Sequence, residues 1–217
     1  NLQMAGSAED AATGAVDSTL IVDGTGEGVT GSIVEVISGN YALSDGATLT
    51  GNTTTGDGSA INNSANAYLL GGTITANSTT GNGGAINNAA GANVYLQNGT
   101  ITANSAAAGG AIYSEGTVNI QGTLSVTGNT VTNSFEATSN LVLAKDGVIN
   151  VSGAVTGSAI GVAVQEASAG RTVVKLDDAV TDVKLTDVLS QITYEGDSSL
   201  KIGEDGTLVS TTEPSPT

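Results

Sequence analysis

A four-residue motif of aliphatic, Thr, small residue and Asn returns along this chain as Leu49-Thr50-Gly51-Asn52, Ile74-Thr75-Ala76-Asn77, Ile101-Thr102-Ala103-Asn104 and Val126-Thr127-Gly128-Asn129, at steps of 25, 27 and 25 residues. A fifth copy without its Asn, Val151-Ser152-Gly153-Ala154, follows after a further 25. A fixed period of a few tens of residues marks an architecture in which one short unit stacks on the next.

Two further tracks run in phase with the first. Ser59-Ala60-Ile61, Gly84-Ala85-Ile86 and Gly110-Ala111-Ile112 form one; Ala67-Tyr68-Leu69, Val94-Tyr95-Leu96 and Val118-Asn119-Ile120 form the other. Apolar and polar residues alternate within each segment, as in Thr73-Ile74-Thr75, so aliphatic side chains point inward and Thr outward. A helical reading fails, because Gly, Asn and Thr are this frequent and a 3.6-residue period is missing. Three short β-prone segments per repeat, separated by Gly or Asn, describe a three-sided coil. The expected fold is therefore all-β: a right-handed, single-stranded parallel β-helix of the pectin-lyase-like type, about 25 residues per coil, with capped ends. Stacked at strand spacing, roughly eight coils make a rod of about 40 Å. Ile74, Ile101, Val126 and Val151 are expected in one internal column, and Leu69, Leu96 and Ile120 in another.

Composition fits a solenoid better than an aromatic-filled globular core. The 217 residues include 31 Gly, one Phe, no Trp, no His and no Cys, so small aliphatic side chains must supply the interior. The net charge is -16, and all five basic residues (Lys145, Arg171, Lys175, Lys184 and Lys201) lie in the last third. A chain with no Lys or Arg up to residue 144 offers nothing to neutralise phosphates, which argues against nucleic acid and against docking on anionic lipid. No charge falls between Asp57 and Glu115, yet Asn, Thr, Ser and Gly interrupt that window too often for a membrane span. Its neutrality suits stacking, since like charges repeated at strand spacing repel whereas identical amides and aliphatics attract.

Asn52, Asn77, Asn104 and Asn129 are read as a structural ladder of side-chain amides bonded from coil to coil. Gly83-Gly84 and Gly109-Gly110 are read as corner residues with positive φ; a phosphate cradle would need a following helix and a Lys that the pattern lacks.

The Gly-Gly-Ala-Ile copies and Asn-ended strands, over roughly residues 45 to 165, resemble the repeats of chlamydial polymorphic outer membrane proteins and of adhesin-like β-helix surface proteins from gut Gram-positive bacteria. The resemblance implies a passenger β-helix outside the cell, acting in attachment.

Residues 1–40 are expected to hold an N-terminal cap and the first strands, with a β-prone patch from Ser32 to Ser38; residues 41–165 hold the coils. Residues 166–209 read as a C-terminal cap or small appendage, with strands at 171–176, 192–194, 200–202 and 207–209 and a short helix at 186–191. Residues 210–217 read as a Thr/Pro-rich linker. The sequence from Asn1 shows no basic and apolar leader pattern, so any signal peptide is expected either to have been removed or to lie outside this sequence.

Polysaccharide cleavage on a β-helix needs paired carboxylates, or carboxylate-bound calcium with a base, on neighbouring coils. Asp45, Asp57, Glu115, Glu136, Asp146 and Lys145 fall at different phases of the repeat, so no catalytic residue, metal ligand or cofactor site is assigned. Asp177-Asp178, Glu195-Gly196-Asp197 and Glu204-Asp205 could hold calcium but read by default as solvated loops. The outward Thr pairs (48 and 50, 73 and 75, 100 and 102) share one feature with ice-binding solenoids. Tyr68 and Tyr95, with Tyr41 and Tyr113, are the candidate ligand contacts, since aromatic faces suit sugars and protein surfaces. The expected function is an extracellular adhesion module for glycans or host-surface proteins. The alternative is a stalk or end-to-end fibre subunit.

Overall fold

The computed structural model describes residues 2–3, 21–25, 30–132, 140–144 and 147–212. Most of the expected N-terminal cap, Glu136, Lys145, Asp146 and the end of the Pro-rich tail lie outside them. The chain is a parallel β-solenoid whose strands repeat on three faces. The first face stacks Val34–Val36, Ile61–Asn63, Ile86–Asn88, Ile112–Ser114 and Leu141–Leu143, all parallel and in register. On the second, Asn40–Leu43 and Asn66–Leu69 are followed by the leading halves of Asn93–Thr102 and Thr117–Val126, then by Ile149–Val155 and Val174–Leu176. The third carries Ile21–Asp23, Thr48–Thr50 and Thr73–Thr75, then the trailing halves of those two ten-residue strands, and Ala159–Val164. The ten-residue strands turn from the second face to the third without a break, and Ala159–Val164 runs on from the third to the first, where Val162–Val164 pair with Leu141–Leu143, so the described strands of all three faces join in one 17-stranded sheet.

Among the described residues the coil makes about five turns, fewer than the eight expected from length. One turn is much longer than the repeat: Ile112 pairs Leu141, Ile120 pairs Val151 and Val126 pairs Ile160, so 29, 31 and 34 residues separate partners there. This enlargement also moves Val151. It stacks on Ile120 in the second-face column, and Ile160 takes the place over Val126 that the 25-residue step had assigned to Val151. Ile74, Ile101 and Val126 share a column, as do Leu69, Leu96 and Ile120.

The strand residues 174–176 and 192–194 extend the coil beyond residue 165, pairing with Ile149–Val155 and Ala159–Val164. The helix Leu185–Leu189 buries Val188 against that last coil, and the hairpin of Leu200–Ile202 and Leu208–Ser210 buries Leu208. Together they cover the C-terminal end of the core.

Two corner devices explain the small residues of the repeat. Gly83 and Gly109 have φ of 68° and 60°, and a Cβ on either would lie 2.3 Å from the carbonyl oxygen of Ile86 or Ile112. The second Gly of each pair serves a different end: a Cβ on Gly84 would lie 2.2 Å from Gly110 O in the next coil. The small residue of the Thr-x-Asn motif is left-handed in every copy, with φ of 75° at Gly51, 54° at Ala76, 56° at Ala103 and 67° at Gly128. An L-residue there costs roughly 1–2 kcal/mol, which Ala76 and Ala103 bear. Ala103→Gly is therefore expected to stabilise the domain by about 1 kcal/mol after its greater unfolded-state entropy is offset. A denaturant melt that shows destabilisation would contradict this reading.

Candidate functional site

Inside the coil, the amide ladder is built from both main-chain and side-chain donors. Asn52 N–H donates to Asn77 Oδ1 at 3.1 Å. Asn77 N–H and Nδ2 both donate to Asn104 Oδ1 at 3.0 Å, and Asn104 repeats the pair on Asn129 Oδ1 at 3.0 Å. The second hydrogen of each Nδ2 goes to backbone carbonyls, for Asn104 those of Ile74 and Thr102 at 3.0 Å. All four Asn are buried. Their role is structural, and the ladder runs further than the repeat indicated. Asn129 passes on to Asn140 Oδ1, at 3.1 and 2.8 Å, and Asn140 ends on the carboxylate of Glu195, at 2.9 and 2.8 Å. Donors of every rung point toward this end, so a carboxylate closes it with charge-assisted bonds. Gly161 makes room: its Cβ would lie 2.0 Å from Glu195 Oε1. At the opposite end Asn52 Oδ1 is buried without a described partner. A second internal ladder joins Asn63 to Asn88 at 2.7 Å and Asn88 to Ser114 at 3.0 Å.

The outward side of the second face differs in kind. One column runs Ala42, Tyr68, Tyr95, Asn119, Asn150 and Lys175. The Tyr68 and Tyr95 rings stack with centroids 4.4 Å apart and planes within 5°, and both remain partly exposed. Burial, then the neighbouring Tyr95, raises the Tyr68 pKa above its ordinary value. Beside them Asn93 Nδ2 donates to Asn66 Oδ1 at 3.0 Å. Farther along, Asn150 Nδ2 donates to Asn119 Oδ1 at 3.1 Å and to Asp177 Oδ2 at 2.8 Å. A pocket of about 380 Å³ opens there, lined by Glu115, Thr117, Asn150, Lys175, Asp177 and Asp178 among others. The pocket joins Glu115 to charges some 60 residues later, a convergence hidden in the sequence because Lys175 and Asp177 sat in the presumed appendage. Asp177 is held below the usual carboxylate range, first by the Ala179 N–H and then by Asn150. It accepts hydrogen bonds and carries no proton to deliver at neutral pH.

Tyr41 and Tyr113 are not the exposed contacts expected of them. Tyr41 points inward, 8 % exposed, because strand alternation turns Asn40 and Ala42 outward; its inward partner Ala67 is small. Burial raises its pKa. Tyr113 points outward from the first face but is covered, 9 % exposed, in a cluster with Val142 and Ala163, and its hydroxyl donates to Gln165 Oε1 at 3.2 Å. The acidic loops have structural duties: Asp177, Asp197 and Asp205 each accept a backbone N–H two residues ahead, at 3.0, 2.8 and 3.0 Å, and that bond is the main cause of each lowered pKa. Among the described residues no three Asp or Glu side chains are gathered around a cation position. The Thr pairs at 48 and 50, 73 and 75, and 100 and 102 stack in register on the third face, bounded by Asp23 at one end and Ser125 at the other.

No protein-family model, curated protein or solved structure matches this chain.

Two predictions follow from the ladder. Asn104→Ala removes an interior rung and strands the donors of Asn77, costing about 1–3 kcal/mol in a thermal melt while leaving any ligand binding unchanged. Gly161→Ala displaces the Glu195 carboxylate and is expected to cost about 3 kcal/mol, with faster amide exchange over residues 192–194. In a Glu195→Ala background the same Gly161 change should add little, and full additivity would refute the cap.

Proposed function

We propose that this domain is an extracellular adhesion module that binds glycans through the outward side of its second face. The stacked Tyr68 and Tyr95 pair, set in a column of amides that leads to a polar pocket, carries this reading. Saccharides are held by aromatic surface against their C–H faces and by planar amides and carboxylates against their hydroxyls, and this face supplies both along about four coil steps. Each contact is weak, and a rod that presents them repeatedly gains by multivalency. The resemblance of the repeats to surface adhesins supports a position outside the cell. The covered C-terminal end of the core weighs against end-to-end growth at that end, the mode that a fibre subunit would use.

Binding of the labelled domain to an array of glycans, mucin and matrix proteins tests this. Saturable binding is expected, with a double change Tyr68→Ala and Tyr95→Ala lowering affinity at least about tenfold and Asn104→Ala leaving it intact at temperatures where the variant is folded. A domain that binds nothing on the array returns the assignment to a stalk.

A further inference from the structure

The pocket beside Asn150 gathers charges of both signs that do not neutralise one another. Glu115, Lys175, Asp177 and Asp178 line it, together with Thr117 and Asn150. Asp177 is already engaged: Asn150 Nδ2 donates to its Oδ2 at 2.8 Å and the Ala179 N–H to its Oδ1 at 3.0 Å. The other hydrogen of Asn150 Nδ2 goes to Asn119 Oδ1 at 3.1 Å. Glu115, Lys175 and Asp178 are exposed, and among the described residues none of the three makes a side-chain hydrogen bond or an ion pair. The Ala179 N–H and Asn150 hold Asp177 below the usual carboxylate range, and Lys175 adds the smallest contribution, so its ammonium acts on that carboxylate without being bonded to it. Gly91 leaves one wall bare, since a Cβ there would meet nothing within 4 Å.

We infer that this pocket binds the zwitterionic head of an α-amino acid, with the ligand carboxylate on Lys175 and the ligand ammonium on Glu115. The register sets the span. Glu115 belongs to the coil of Asn119, and Lys175 stands two coil steps along, past Asn150, which puts roughly 10 Å between their backbones. Two charge-assisted bonds of about 2.8 Å each leave about 4 Å between them, which suits an ammonium and a carboxylate on one carbon better than the two ends of a peptide. Thr117 Oγ1 and Asn150 Oδ1, neither with a described donor, line the same pocket and accept further hydrogens of the ammonium. Both charges are needed. An anion alone meets Asp177 and Asp178 beside Lys175, and a cation alone leaves the Lys175 ammonium facing its like. The volume of about 380 Å³ exceeds an amino-acid head and leaves room for the chain that carries it. On the glycan-binding reading above, on which this use of the pocket rests, the head belongs to an amino acid joined to the sugar chain through its side chain, so that its α-ammonium and α-carboxylate stay free.

The test titrates the full chain with alanine, with alaninamide, which keeps only the positive charge, and with N-acetylalanine, which keeps only the negative one, following the side-chain amide of Asn150 by NMR at neutral pH. Alanine is expected to shift the Asn150 signals and to bind about tenfold more tightly than either singly charged relative. Lys175→Gln should weaken alanine about tenfold and leave alaninamide no weaker, whereas Glu115→Gln should weaken alanine and alaninamide alike and spare N-acetylalanine. Both side chains are exposed and bond nothing described, so neither change disturbs the coil. The double change Tyr68→Ala and Tyr95→Ala should leave alanine binding as it is. A wild-type chain that does not bind alanine, or that binds alaninamide more tightly than alanine as a plain cation site does, overturns the inference. Glycan binding on the array without alanine binding overturns the pocket alone; alanine binding without any glycan binding overturns the glycan-binding face and leaves the pocket as a site for a free amino acid.

Discussion

Every strand in this coil can satisfy its backbone only with the coils before and after it, so each residue position is obliged to stack on its own equivalent. That obligation selects which side chains the chain can use. A buried aliphatic on an aliphatic is favourable, an amide on an amide is favourable when donor meets acceptor, and a charge on a like charge is not. The uncharged stretch between Asp57 and Glu115, the interior columns through Ile74 and Leu69 and the Asn ladder are three consequences of one geometry.

The same geometry makes the ladder directional. Each Asn gives its N–H and Nδ2 toward the C-terminal end and offers Oδ1 toward the N-terminal end, so the dipoles add along the rod. An array of this kind needs an acceptor at its donor end, and a neutral amide would only pass the problem one coil further. Glu195 ends the series because a carboxylate is acceptor-only. Its access through the gap at Gly161 ties the last coil to the interior of the repeat, which is why that coil is part of the solenoid although its sequence no longer resembles one.

The parts of this fold that were legible in the sequence are those where the repeat is exact to a residue or two. The Thr-x-Asn motif identified the ladder and the column through Ile74, Ile101 and Val126, and the track through Tyr68 and Tyr95 identified the column of Leu69, Leu96 and Ile120, because the turns between their copies have nearly constant length. Legibility stopped where the turn length changed. Val151 matched the motif by spacing, yet the enlarged coil placed it over Ile120, and local pattern contains no record of an insertion elsewhere in the turn. Tyr41 and Tyr113 failed for a different reason. A Tyr has enough apolar surface to be core and enough polarity to be surface, and which it becomes depends on strand phase at Tyr41 and on a covering cluster at Tyr113. Asn140, Glu195 and the pocket around Lys175 lacked any periodic signal, since each residue occurs once in its column; only the superposition of coils brings them to their partners.

Positions that break a column are accordingly the ones where recognition can reside. A residue that repeats its neighbours is fixed by stacking, and its outward face is covered by the next copy, as Tyr68 covers one face of Tyr95. A ligand can compete only where the series stops and a side chain has one face without a copy. Ala42 ends the aromatic series at one side, and the change from Asn150 to Lys175 ends the amide series at the other. Both breaks lie on the second face, and the one at Lys175 adjoins the pocket lined by Glu115, Asn150 and Asp177. A solenoid thus separates its two tasks by position within a column: the uniform middle supplies rigidity, and an interruption such as the one at Lys175 supplies surface of a different chemistry.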